Sequence, residues 1–153
     1  MFNAETFLNT THTEAADTSL LPVPEGEYVA LSSPVTAESF RDFDIKRGER
    51  AGQKGYAVDL EWTIDDEKLK AELGRTPKVR QSIMLDVTAG GGLDFGKGKN
   101  VGLGRLREAL NQNADGKPWS FAMLGSQVAK IKVKQRLYED KIFAEVADVT
   151  KAG

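Results

Sequence analysis

Between Tyr56 and Ile64 apolar and polar positions alternate without a break. Tyr56, Val58, Leu60, Trp62 and Ile64 fall on one side of an extended chain, and Ala57, Asp59, Glu61 and Thr63 on the other. A two-residue period rich in aromatic and β-branched side chains predicts a strand with one buried and one wet face. Residues 79–88 repeat the pattern, with Val79, Gln81, Ile83, Leu85 and Val87 sharing a face. Residues 128–138 and 141–150 read as two more strands separated by Glu139-Asp140, and residues 27–31 as a first strand after the turn residue Gly26. The period changes twice. Residues 65–73 have helical composition and stop at Gly74 and Pro77. Residues 101–111 stripe Leu103, Leu106 and Leu110 along one side behind Asn100 as the expected N-cap, with Gly102 and Gly104 weakening the first turn. Residues 34–55, with Pro34, three glycines and the charged run 41–50, are expected to be a long loop.

These elements predict a mostly β fold with a minor helical part: five strands, with a helix between the third and fourth. That is the order of the OB-fold, a small Greek-key barrel that often binds oligonucleotides. Residues 1–24 are expected to form an acidic, partly mobile arm with a short helix near residues 5–8. Residues 25–153 then form a single domain.

The last hairpin carries the sharpest chemistry. In Lys130-Ile131-Lys132-Val133-Lys134-Gln135-Arg136 the cations occupy alternate positions, so they line one face of a strand at a spacing of about 6.6 Å. A turn centred on Glu139-Asp140 sets Tyr138 against Lys141, Arg136 against Phe143 and Lys134 against Glu145. It also keeps Leu137 with Ile142 and Val133 with Val146 on the inner face. Tyr138 and Phe143 then stand among the cations. Rings that stack on bases beside cations that track phosphates make a sequence-tolerant single-strand site. The same row also suits a solvated hairpin whose lysines block edge-to-edge pairing.

Charge strengthens the case for a polyanionic partner. The net charge is −2. Yet residues 1–40 hold six acids (Glu5, Glu14, Asp17, Glu25, Glu27, Glu38) and no Lys or Arg, whereas residues 97–136 hold nine bases and two acids. Lys97 and Lys99, on the glycine-rich stretch 90–100, and Arg105, on the following helix, join the candidate contacts.

Catalytic chemistry is hard to assemble. There is no cysteine and a single histidine, His12, which excludes disulfides, thiolate sites and most zinc arrangements. Gly91–Gly98 approaches a phosphate-binding loop, but Gly98 stands where Ser or Thr would hold Mg²⁺. The acids at 65–67 suit a helix N-terminus and those at 139–140 a turn tip. No catalytic residue, metal site or cofactor is expected. Trp62 and Trp119 are expected in the core. No apolar run is long enough to span a bilayer and no secretory signal is visible, so a cytoplasmic protein is expected.

Four segments also carry a resemblance: Leu93-Asp94-Phe95-Gly96-Lys97-Gly98-Lys99-Asn100, Leu103-Gly104-Arg105-Leu106-Arg107-Glu108-Ala109-Leu110, the hairpin with its Glu145-Val146, and the lead-in Pro22-Val23-Pro24-Glu25-Gly26-Glu27-Tyr28. Through them the chain resembles a family of small phage-encoded proteins found among replication and recombination genes, themselves similar to OB-fold single-stranded DNA-binding proteins. The resemblance implies a non-catalytic single-stranded DNA-binding accessory of phage replication or recombination, acting in the host cytoplasm. Familiar bacterial single-strand binders end in an acidic recruiting tail; here the acids lie at the other end. A protein-interaction module that grips a host enzyme and an RNA-binding OB domain stay open as alternatives. So do self-association and a replication or transcription protein as partner.

Overall fold

The computed structural model describes residues 2–16 and 21–152. Of the arm's acids, Asp17 lies outside them. The chain is mostly β. After a short helix α1 (Ala4–Asn9) come β1 (Gly26–Ser32), β2 (Phe40–Asp44), β3 (Lys54–Ile64), helix α2 (Glu67–Leu73), β4 (Lys78–Leu85), helix α3 (Val101–Ala109), β5 (Val128–Tyr138) and β6 (Lys141–Thr150). One six-stranded sheet runs in the order β1-β5-β6-β4-β3-β2.

The sheet closes partly into a ring. β1 pairs antiparallel with β5 and, at its far end, with β3, where Ala30, Leu31 and Ser32 meet Ile64, Thr63 and Trp62. β4 meets β6 in parallel at Arg80 and Glu145. The apolar face of β3 supplies the middle of the core: Val58, Leu60, Trp62 and Ile64 are buried with Val79, Ile83, Ile131 and Val133. Trp62 is fully buried as expected, and its indole N–H donates to Gln81 Oε1 at 2.9 Å. This hydrogen bond explains a glutamine on an apolar face. Leu103 and Leu106 of α3 pack into the same cluster. Val23 does too, so the residues just before β1 belong to the body.

The expected five strands become six. The segment 34–55, read as a loop, contains β2, which pairs with the first half of β3 from Phe40 opposite Val58 to Asp44 opposite Lys54. Its sequence, Phe40-Arg41-Asp42-Phe43-Asp44, carries no two-residue period, since Phe40 and Phe43 fall on opposite faces, and it overlaps a charged run. Gly55 belongs to the pairing rather than to a turn. The Phe43 ring lies over it so closely that a Cβ there would sit 2.4 Å from Phe43 Cζ.

The helices behave locally as their sequences demand. Asp66 caps α2, its carboxylate accepting from Leu69 N–H, and Gly74 ends it in the left-handed conformation. α3 ends at Ala109, two residues short of the expected Asn111. Asn100 is its N-cap by position, but its side chain makes no capping bond and its backbone is left-handed. The side chain turns back instead to Asp86 and Asp94.

Candidate nucleic-acid interface

The hairpin register is the one its sequence dictates. Tyr138 opposes Lys141, Leu137 opposes Ile142, Arg136 opposes Phe143, Lys134 opposes Glu145 and Val133 opposes Val146. A bulge follows between Lys132 and Val133, after which Lys132 faces Asp148 and Lys130 faces Thr150. Because the irregularity lies below the tip, Lys134, Arg136, Tyr138, Lys141 and Phe143 keep one common face. Lys132, Lys134 and Arg136 are exposed and Lys130 is half-buried. Tyr138 is 57% and Phe143 45% exposed.

Both central turn residues, Glu139 and Asp140, have positive φ (48° and 64°). That is the type I′ pattern, whose twist matches a two-residue hairpin and which normally takes Asn-Gly. One expectation fails at the tip. Leu137 and Ile142 do pair, but they are 69% and 52% exposed instead of facing inward. The inner face ends at Gln135, which is tied to the lead-in segment through Val23 O and the Glu25 carboxylate. Beyond it the hairpin projects past the core, with apolar groups on both faces.

The cationic row has acidic neighbours. Lys132 lies between Glu27 on β1 and Asp148 on β6, and Lys134 faces Glu145. No ion pair forms with Lys130, Lys132, Lys134 or Arg136 among the described residues. Beside the tip, Ile142 and Phe143 line a groove of about 610 Å³ with Leu21, Arg75 and Lys78. Two further cations thus share the groove with Phe143.

Lys97 and Lys99 are exposed but are not brought to the tip. β6 starts beside the N-terminal end of β4, whereas the glycine-rich stretch leaves the C-terminal end of β4. The two sites are separated by the length of an eight-residue strand, about 26 Å. Nor is the stretch a loose connector. Val87 and Leu93 form a β-bridge, Thr88 and Gly92 exchange hydrogen bonds, and Asn100 anchors both Asp86 and Asp94. Phe95 projects from it at 75% exposure beside the two lysines. Sequence reasoning missed Phe95; its signal was an aromatic with no periodic partner in a run of glycines.

Arg105 falls elsewhere again. It lines a cleft of about 770 Å³ with Lys117, Trp119, Asp148 and Lys151. Asp148, the strand partner of Lys132, lines the same cleft. Trp119 is half-buried, stacked under the Arg107 guanidinium at 4.2 Å, with its N–H on Gln112 Oε1.

The fold adds a cluster on the outer face of β3 and β4. Asp59 accepts from Arg41 Nε at 2.9 Å, from Ser82 Oγ at 2.6 Å and from the Arg80 guanidinium. Burial by itself would raise the Asp59 carboxyl. Hydrogen bonds from Ser82, Arg80 and Arg41 outweigh it and hold the group below the usual carboxylate range. Arg41 was hidden in the presumed loop, and only strand pairing reveals its approach to Asp59.

Among the described residues no three His, Cys, Asp or Glu side chains converge to hold a metal, and no helix is long and apolar enough to cross a membrane. No protein-family model matches this sequence, and no curated protein is found to be similar to it.

Proposed function

We propose that this protein is a non-catalytic single-stranded DNA-binding protein with an OB-like barrel, serving phage replication or recombination. The strand ring supports the barrel reading: β1, β3 and β4 form a meander, α3 follows, and β5–β6 returns to close on β1 and, in parallel, on β4. With β2 counted as part of the β1–β3 connection and α2 as part of the β3–β4 connection, the remaining five strands and α3 support an OB-like order.

One observation carries the binding assignment. Arg136 and Phe143 face each other in a row with Lys134 and Tyr138, and both rings are open to solvent. Cations at a two-residue strand spacing can follow a phosphate backbone while exposed rings stack on bases. Duplex DNA keeps its bases stacked inside, so the rings favour single strands. The test is a titration of labelled oligo(dT), oligo(U) and duplex DNA of equal length at two salt concentrations. Binding of oligo(dT) well above duplex is expected. Equal affinity would reduce the hairpin to a non-specific cationic patch, and a preference for oligo(U) would move the assignment to RNA.

A second reading rests on Leu137 and Ile142. Two exposed aliphatic side chains at the tip suit a protein partner, such as a host enzyme gripped by a phage factor. Loss of a protein complex on Leu137→Asp, with oligonucleotide affinity retained, would favour it.

A further inference from the structure

At the end of the ring away from the hairpin tip, a pocket of about 630 Å³ opens between the β2–β3 pair and the glycine-rich stretch. This volume is within the range of roughly 300–1,000 Å³ usual for small-molecule sites. Phe40, Tyr56 and Phe121 line one side, and Gly91, Gly92 and Leu93 the other. The Phe40 and Tyr56 rings are each 39% exposed although they stand on the inward-facing positions of their strands, because the core ends beneath them. Phe40 is braced edge-on against Phe121 at 4.9 Å, and Phe121 against Trp119 at 5.0 Å.

The opposite wall is bare where it need not be. Gly91 has φ 91°, which accounts for its being glycine. Gly92 has no such conformation, and a Cβ added there would have only Thr88 Oγ1 near it, at 3.9 Å. Neither backbone nor packing within this chain requires a glycine at 92. The wall is also held still by the Val87–Leu93 bridge and the Thr88–Gly92 hydrogen bonds. The Phe40 and Tyr56 rings, facing a fixed wall that is bare at Gly91 and Gly92, form a slot for a flat, apolar-faced group.

We infer that this pocket takes one unstacked nucleobase of the bound single strand, held against Phe40 and Tyr56 and passed closely by the Gly92 backbone. The inference rests on the single-strand reading above and extends it: the strand touches the protein at both ends of β4. A base is favoured over an aliphatic side chain because Phe40 and Tyr56 offer rings on which a flat base can stack, and the wall opposite has no Cβ at Gly91 or Gly92 to block its passage.

The experiment compares wild type with Gly92→Val, which fills the slot, and Tyr56→Leu, which removes a ring but keeps apolar bulk. Melting temperatures are read first, then the affinity for a labelled 12-mer of oligo(dT) across a salt series. About tenfold weaker binding is expected from either folded variant, with the slope against salt unchanged, because a base rather than a phosphate is lost. Normal affinity in a folded variant overturns the pocket and leaves the single-strand reading standing. A fall in salt slope also overturns it, since the contact is then to the backbone. If wild type binds no single strand at any salt, the functional reading itself fails and the pocket assignment with it.

Discussion

Asn100 and Asp86 hold each other through three hydrogen bonds. Asp86 N–H donates to Asn100 Oδ1 at 2.8 Å, Asn100 N–H to Asp86 Oδ2 at 2.8 Å, and Asn100 Nδ2 to Asp86 O at 2.9 Å. A fourth bond, from Asn100 Nδ2 to Asp94 O at 2.9 Å, ties in the middle of the glycine-rich stretch. One side chain thus joins the end of β4 to the start of α3. Together with the Val87–Leu93 bridge it fixes the glycine-rich stretch, including the wall of the aromatic pocket.

Replacing Asn100 tests this. Asn100→Ala removes the side-chain bonds and leaves a Cβ residue at φ 51°. A loss of about 2–4 kcal/mol is expected from unpaired polar groups and left-handed strain together. Asn100→Gly keeps the backbone at ease and should recover the strain part alone. Chemical denaturation of the two variants separates the contributions. Equal losses would mean that left-handed geometry adds nothing.

This pairing also marks where sequence reading stops. Strands β3, β4 and β5 were legible because each buries one face, so the two-residue period is written into the residue types. The hairpin register followed from the same constraint, since a slip of one residue would turn Val133 and Val146 outward. Asn100 was legible as a helix boundary, but its partner Asp86 was not, because nothing local connects positions 14 apart. β2 was missed for a related reason: Phe40 and Phe43 gain their environment only from Val58, Gly55 and Phe121 across the fold. Leu137 and Ile142 were placed inward because alternation names a face but not where the core ends. The aromatic pocket was invisible because Phe40, Tyr56 and Phe121 come from three separate segments.

Asp59 links pH to stability. Its carboxyl lies below the usual range in the folded state, so it adds stability above the unfolded-state value and loses it as pH falls through the folded one. Asp59→Asn should therefore be less stable than wild type at neutral pH, and the gap should close in acid. The same change releases Arg41 and Arg80 from their shared carboxylate. If both then reach phosphate, the slope of log affinity against log salt steepens by about 1.4. Thermal melts from neutral to acid pH, with a salt titration, check both parts. A stability gap that does not narrow in acid would show that the Asp59 charge is not what stabilises the cluster.

The arm is the next target. Every residue from 2 to 16 is exposed, and Glu5 and Glu14 have no cation among them. Deleting residues 1–16 should leave the melting temperature unchanged. If the arm's acids compete for the cationic row, the deletion should also tighten oligonucleotide binding at low salt and leave it alone at high salt. A lowered melting temperature would place the arm in the folded body.

The hairpin turn carries strain that a better sequence can relieve. Glu139 and Asp140 are both left-handed, at roughly 1–2 kcal/mol each for residues with a Cβ. Replacing the pair by Asn-Gly should stabilise the protein by about 1 kcal/mol and leave the register intact. Urea denaturation measures the gain. A loss of stability would mean that these two acids make contacts worth more than the strain.

The proposed roles of charge and stacking on the hairpin can be separated because the cations and the rings are different residues. Lys132 and Lys134 are exposed on β5, and Phe143 stands on the partner strand opposite Arg136, 45% exposed and past the end of the core. Changing both lysines to Ala should weaken binding and lower the salt slope by about 1.4, at about 0.7 for each phosphate contact on a single strand. Phe143→Ala should lose about 1–3 kcal/mol of binding, the range for one base stacked on a ring, with the slope almost unchanged. Its melting temperature should fall only modestly, since Phe143 lies past the end of the core and is 45% exposed. A large drop in melting temperature would mean that Phe143 supports the groove beside Lys78 more than it meets a ligand. Normal binding by folded Phe143→Ala would remove the hairpin from the interface and direct attention to Phe95, Lys97 and Lys99 at the far end of β4, where the same pairing of ring and cation recurs.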